Sequence, residues 1–377
     1  MASVATVPQT RVLRPASSYF PGGYSEASER FQQAADAAQC DRDSWQLECR
    51  GPRGETLSIE LARWGNPSAT RWLLLTTGLH GTEAPFGSAV QLRLLDDLVH
   101  REMPDDTGIV LLHALNPYGY AWVRRANEEN VDLNRNFLLS HEAYQGAPPL
   151  YQHVYEAFNP HRRRRFYHNF YAEAWWLIRR HGRAALQSSL PVGQYEYPEG
   201  LFYGGAKPAR LVELLREHLP RWMPHAQEVT HLDFHTGLGN WGDYRLLLDG
   251  PHDHLDADWF RTWVASEKVE AASMNKTAYS ARGSFGPWMK TVLFPKVSYH
   301  YGAAEFGTFG GVRVLRSLVK ELQVHYGLPP EHRQYQWAKR LVSHTFVPPS
   351  LYWRQRVLQD GYALCLSALQ KVQSHQS

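Results

Sequence analysis

Arg71 to Thr77, RWLLLTT, is a short, continuously apolar run that stops abruptly at Gly78-Leu79-His80-Gly81. A run of this length bounded by turn residues suits a strand buried on both faces, as in a parallel sheet. The pattern recurs. Ile109 to Ala114 runs into Asn116-Pro117-Tyr118-Gly119, Val229 to Phe234 into His235-Thr236-Gly237, and Lys296 to Phe306 into Gly307-Thr308. Leu57 to Trp64 reads as a further strand, closed by the turn Gly65-Asn66-Pro67. Between the runs lie helical stretches: Ser25 to Ala38, Pro85 to Val99, Arg313 to Tyr326 and Leu351 to Val372. Strands alternating with helices predict an α/β fold, a mixed, mainly parallel sheet covered by helices on both faces. In such sheets ligands bind beyond the carboxyl ends of the strands.

The chain of 377 residues is long enough for one large α/β domain with a shaped pocket. We expect a loose N-terminal arm over residues 1–25 and a catalytic domain over 26–377, carrying an insertion at about 138–228. The insertion is rich in Arg, His, Tyr and Trp, reads as mostly helical, and includes the run Arg162-Arg163-Arg164-Arg165. A solvated helix face explains such a run better than an anionic partner. Net charge of +3 gives no basic stripe for nucleic acid. Three cysteines, Cys40, Cys49 and Cys365, form no CxxC pair and no disulfide framework. That usage, with no signal peptide and no apolar run of membrane-spanning length, leads us to expect a cytoplasmic protein that engages no membrane. The sequence does not reveal its oligomeric state.

With thiolates excluded, a metal would need nitrogen and oxygen ligands. His80 and Glu83 form an H-x-x-E pair whose side chains can converge on one point. The spacing alone is weak evidence in a chain with 19 histidines, and His153/Glu156 and His225/Glu228 repeat it. Only His80 and Glu83 follow a buried strand. A third ligand belongs at the end of a neighbouring strand, where His235 stands. Asp233, two residues earlier on the same side of a regular strand, is placed to orient an imidazole. Two nitrogens and one carboxylate with a fourth position open suit catalytic zinc best, though cobalt or manganese could substitute. No G-x-S-x-G elbow supports a serine hydrolase.

The segments GLHGTE (78–83), NPYGYAWVRRANEENVDLNRNF (116–137), DFHTGLG (233–239) and AEFGTFGG (304–311) resemble, in this order, the zinc carboxypeptidase superfamily. YFPGGYSEA and GLFYGGAKP (200–208) narrow the resemblance to its cytoplasmic bacterial, DUF2817-like branch, related to succinylglutamate desuccinylase and aspartoacylase. The resemblance implies a single domain around an eight-stranded mixed sheet and one zinc ion per chain held by His80, Glu83 and His235. It implies Glu305 as general base, Arg125 or Arg124 as the arginine polarising the scissile carbonyl, and Asn134 and Arg135 as the grip on a substrate's carboxylate. The expected activity is hydrolysis of an amide or peptide bond in a small substrate with a free carboxylate. Deacylation of N-acyl amino acids is the alternative, and a non-catalytic binding protein on the same scaffold a third. Peptidases of the superfamily carry a mobile tyrosine about twenty residues before the glutamate; Tyr279, the nearest here, matches that spacing poorly. The insertion is expected to cover the site and restrict substrates to small ones.

Overall fold

The computed structural model describes residues 14–102, 104–158, 169–249, 253–271 and 281–374. Its frame is an eight-stranded mixed sheet: β1 (Asp41–Arg50), β2 (Thr56–Gly65), β3 (Arg71–Thr77), β4 (Thr107–His113), β5 (Glu228–Gly237), β6 (Tyr244–Leu248), β7 (Val269–Ala271) and β8 (Ser298–Gly307). The spatial order is β1-β2-β4-β3-β5-β8-β6-β7. The central four, β4-β3-β5-β8, are parallel, and β1, β2 and β6 join antiparallel to their inner neighbours. From β3 the chain steps out to β4 and then returns across β3 to β5. Loops leaving β3 and β5 therefore part at their carboxyl ends, which opens a crevice at that point.

Alternation along the central strands divides the core into two layers. Leu73, Leu75, Ile109, Leu111, Leu232 and Phe234 point to a layer shared with helices Ala84–Leu98 and Leu351–Ser374. Trp72, Leu74, Val110, Leu112 and Val229 point to the other, which is built with Leu133, Phe137, Phe285 and Trp288. Each leucine of RWLLLTT is fully buried and contributes about 1.5–3 kcal/mol to folding. On the second face the apolar pattern gives way to polar residues towards the strand ends: His231, Asp233 and His235 continue the Val229 side of β5.

The predicted strands and helices appear within a few residues of their expected bounds. Three strands and several helices, among them Asp253–Arg261 and Arg333–Phe346, do not figure among the sequence expectations. β1 is an edge strand with a mostly exposed pattern, β6 and β7 are short, and helix Arg333–Phe346 is rich in Arg and Gln. From residue 14 onward the expected loose arm is docked instead: Tyr19 and Phe20 are buried against the first core layer, and the Tyr19 hydroxyl donates to Asp96 at 2.9 Å. Between 138 and 228 lie helices Tyr151–Phe158, Phe170–His181, Arg183–Ser189 and Arg210–His218. Arg162–Arg165 and Tyr279 fall outside the described residues. Among the described residues no helix is long and apolar enough to cross a membrane.

Candidate metal centre and its cavity

β3 ends at Thr77, and Gly78 turns the chain with φ +75°. His80 follows in extended conformation, and Glu83 closes a short 3₁₀ turn leading into helix Ala84–Leu98. Gly81 lies against the loop after β4. A Cβ there would sit 2.0 Å from the Gly119 carbonyl carbon, so only glycine lets the two backbones meet. The contact is fixed by the Thr82 amide donating to the Arg124 carbonyl at 2.8 Å. This brings the Arg124–Arg135 segment over the end of β3.

His235 and Glu305 are direct register partners near the carboxyl ends of β5 and β8. One ligand atom from each of His80, Glu83 and His235 lies within 4.8 Å of the others, and all three residues are buried. Nδ1 of His80 is 3.0 Å from Glu83 Oε1, and Nδ1 of His235 is 3.1 Å from Glu83 Oε2. His80 Nδ1 is buried without a hydrogen-bond partner. The far nitrogen of each ring meets an aspartate: His80 Nε2 lies 3.2 Å from Asp132 Oδ1, and His235 Nε2 lies 2.6 Å from Asp233 Oδ2. Carboxylates in those places fix ring orientation and turn both Nδ1 atoms inward. A buried, unpartnered imidazole nitrogen beside a carboxylate oxygen and a second imidazole is a donor set that fits zinc.

The surrounding charge has the same sense. Glu83, Asp132, Asp233 and Glu305 gather round the two imidazoles and Arg125. Burial pushes the Glu83 carboxyl up, but His80 and His235 outweigh it and hold it below the usual range. Burial lowers His235, but Asp233 and Glu83 outweigh it and raise it well above the usual imidazole value. Burial, then the Glu83 carboxylate, pushes Glu305 up to about 7. Glu305 Oε1 accepts from the Leu238 amide at 2.8 Å. Behind His235 the polar residues continue inward. Thr76 Oγ1 lies 2.6 Å from Asp233 and 2.8 Å from His231 Nε2, and the Tyr299 hydroxyl is 2.7 Å from His231 Nδ1.

Arg125 and Arg124 point to different places. Arg125 bonds Asp132 at 2.9 Å, approaches Glu83 at 3.5 Å and lines the cavity above the centre. Arg124 is 1% exposed and pairs with Glu321 at 3.0 Å and Asn130 at 2.8 Å. The expectation that Arg124 binds substrate or polarises a carbonyl is therefore corrected: it does not line the cavity, and its Nε and Nη2 are held in a buried pair, with Nη1 left without a hydrogen-bond partner. Asn134 and Arg135 do line the cavity. Arg135 donates to the carbonyls of Pro191 and Asn134, and among the described residues no ion pair involves it. The H-x-x-E pairs set aside on context do not line this cavity. His153 stacks on His181 within the insertion, and Glu228 starts β5 at the opposite end of the sheet. Asp132 was not among the sequence candidates. Its signal is the D-x-N-R element itself, but its 52-residue separation from His80 hides the contact.

The cavity over the centre has a volume of about 1490 Å³. Ligand pockets for drug-sized molecules usually span about 300–1,000 Å³, and this cavity exceeds that range. The insertion's helices form one wall of a large cleft.

A family model described as "Protein of unknown function (DUF2817)" matches residues 20–360. No curated protein matches the chain. Among solved structures, carboxypeptidase A from Helicoverpa armigera is similar at 13% identity, over 85% of this chain and 72% of that one, with a TM-score of 0.46. Thrombin activatable fibrinolysis inhibitor is similar at 13% identity, over 93% and 81%, with a TM-score of 0.46. An aspartoacylase family protein from Mesorhizobium loti is similar at 15% identity, over 78% and 68%, with a TM-score of 0.38.

Proposed function

The chain belongs to the DUF2817 family, and on that premise we propose that it is a zinc-dependent hydrolase that cuts an amide bond in a substrate with a free carboxylate. The observation that carries the reading is the convergence of His80 Nδ1, Glu83 and His235 Nδ1 within 4.8 Å, with the His80 nitrogen buried and unpartnered. His80, Glu83 and His235 would hold the ion. A zinc ion there supplies Lewis acidity to the amide carbonyl and to water.

The chain's own groups do the rest. Glu305, beside His235 and open to the cavity, takes the proton of the attacking water and returns it to the leaving nitrogen. The Leu238 amide holds Glu305 Oε1 in place. Arg125 reaches into the cavity near Glu83, where a guanidinium offsets charge developing on the carbonyl oxygen. Arg135 presents a planar fork for a carboxylate, anchored by Pro191, and Asn134 beside it accepts from the Phe285 amide. Asp132 and Asp233 hold both imidazoles with Nδ1 inward. We place the enzyme in the cytoplasm, a reading that Cys40, Cys49 and Cys365, all unpaired, support.

The test is elemental analysis of wild type and His235→Ala purified without chelator, followed by hydrolysis assays on dipeptides and N-acyl amino acids with Glu305→Gln as control. About one zinc per chain, lost in the His235 variant, is the expected result. No metal in wild type, even when zinc is offered, would sink the mechanism.

A further inference from the structure

Two walls of the cavity differ in character. The sheet wall carries carboxylates and an arginine beside Tyr244, Leu247, Leu248, Tyr301 and Ala303. Arg245 stands opposite Glu305 on β6, paired with Glu270 at 3.1 Å and Asp243 at 3.4 Å, and Asp249 lies beyond them. The helical wall is apolar. Helix Phe170–His181 turns Phe170, Ala174, Leu177 and Ile178 to the cavity, at the spacing of one helix face. Helix Gly311–His325, which starts six residues after Glu305, adds Leu315 and Leu318. These two helices are packed together by a shared cluster that includes Phe158, Phe170, Leu177 and Val319. Within that cluster Leu177 is 2% exposed, yet Ile178 beside it is 41% exposed. The apolar surface open to the cavity is therefore that of Ile178 with half-buried Ala174 and Leu315, and Phe170, Leu177 and Leu318 pack beneath it.

Resting on the hydrolase reading above, we infer that the group on the acyl side of the scissile amide is a long aliphatic chain, so that the substrate is an N-(long-chain acyl) amino acid. With the amino acid's carboxylate on Arg135, its side chain and its acyl group must share the remaining cavity. The sheet wall, with its carboxylates and arginine, does not suit an alkyl chain. The helical wall, which lines the same cavity as Glu305, does. Its surface comes from helices, whose backbone groups are bonded within the helix and offer nothing to an extended peptide. A peptide laid there would strand its own amides away from water, whereas an alkyl chain loses nothing. Polar lining on that side comes from arginines, and two of them lie over aromatic rings, Arg313 over Phe309 and Arg316 over Tyr171. In the reaction water's oxygen joins the acyl carbon, the C–N bond breaks, and the leaving nitrogen takes a proton. The products are a fatty acid and a free amino acid.

The test is a series of N-acyl-L-alanines from acetyl to dodecanoyl, beside hydrophobic tripeptides of matching length. Turnover is measured with the wild-type holoenzyme, and binding by calorimetry with Glu305→Gln. Each added methylene is expected to raise kcat/KM and affinity about three- to fourfold until the wall is covered. Ala174→Trp should move the best chain to a shorter length, and Ile178→Asp should flatten the rise. Hydrolysis of the acetyl compound with no dependence on chain length overturns the inference and leaves the hydrolase reading standing, as does faster cleavage of the tripeptides. If no compound is turned over, calorimetry still decides: chain-independent affinity overturns the inference, while a rise with length upholds it and places the failure in the catalytic reading.

Discussion

Arg124 and Arg125 are neighbours in sequence, yet they enter two buried charge clusters of opposite composition. Arg125 joins Glu83 and Asp132, which with Asp233 and Glu305 give the candidate metal centre an excess of carboxylates. Arg124 joins Glu321, which also accepts from Lys339 at 2.6 Å, so two cations share one carboxylate. The first cluster opens on a cavity, and each cluster holds one buried nitrogen without a partner, His80 Nδ1 in the first and Arg124 Nη1 in the second. The second does not line that cavity, and ties the loop after β4 to helices Gly311–His325 and Arg333–Phe346. Buried charge alone therefore says little about function. Negative excess round inward-turned imidazoles asks for a cation, whereas a cation–carboxylate–cation triad set apart from the cavity is a strut.

The largest effect that would break this comparison belongs to the centre. Glu305→Gln should lower turnover by about 10²–10⁴-fold while metal content stays at wild-type level, because Glu305 is not among the ligands. Loss of metal in this variant would mean that Glu305 has been given the wrong role.

Next comes the strut. Glu321→Leu leaves Arg124 and Lys339 buried without their carboxylate, and breaking such a pair costs about 3–5 kcal/mol. Urea unfolding should show that loss. The metal affinity of the folded protein should be unchanged. If the affinity falls instead, the two clusters act as one, and their separation is mistaken.

A smaller effect sharpens the role of the aspartates. Asp132→Asn and Asp233→Asn keep the shape but weaken the hold on the far nitrogens of His80 and His235. Metal affinity should drop about 10–100-fold in each. Unchanged affinity in both would leave the aspartates as packing rather than positioning groups.

The sequence discloses this comparison unevenly. His80, Glu83 and His235 stand out because each follows or ends a buried apolar strand, and strand ends meet in a parallel sheet, whereas Glu305 stands out through the resemblance carried by AEFGTFGG. The sheet's centre is legible for the same reason, through RWLLLTT and its counterparts. Edge strand β1 and short β6 and β7 bury too little to leave a pattern. Nothing in the sequence separates Arg124 from Arg125, because their divergence depends on Glu321, 197 residues away from Arg124. The size of the cleft depends on how the insertion helices lean on helix Gly311–His325, a tertiary contact with no local signature.

The last effect, smallest near neutral pH, separates histidines with a carboxylate from those without. His113 is fully buried, lies 2.8 Å from Ser88 Oγ and stacks on Phe31 with ring centroids 4.7 Å apart. Burial pushes its imidazole down to about 3, the reverse of His235, where Asp233 and Glu83 overcome burial. In the unfolded chain His113 titrates near 6.5. As pH falls below that value, the unfolded chain takes up a proton that the folded chain refuses, so His113 removes stability. The loss begins near 6.5 and grows until the pH approaches about 3, by about 1.4 kcal/mol per unit. Other groups titrate in the same window, so the readout is the difference between wild type and His113→Gln. Urea midpoints measured at several pH values across that window should fall less steeply in the variant. Parallel slopes would mean that His113 is protonated in the folded protein, and that burial without a carboxylate does not suffice to keep a core histidine neutral here.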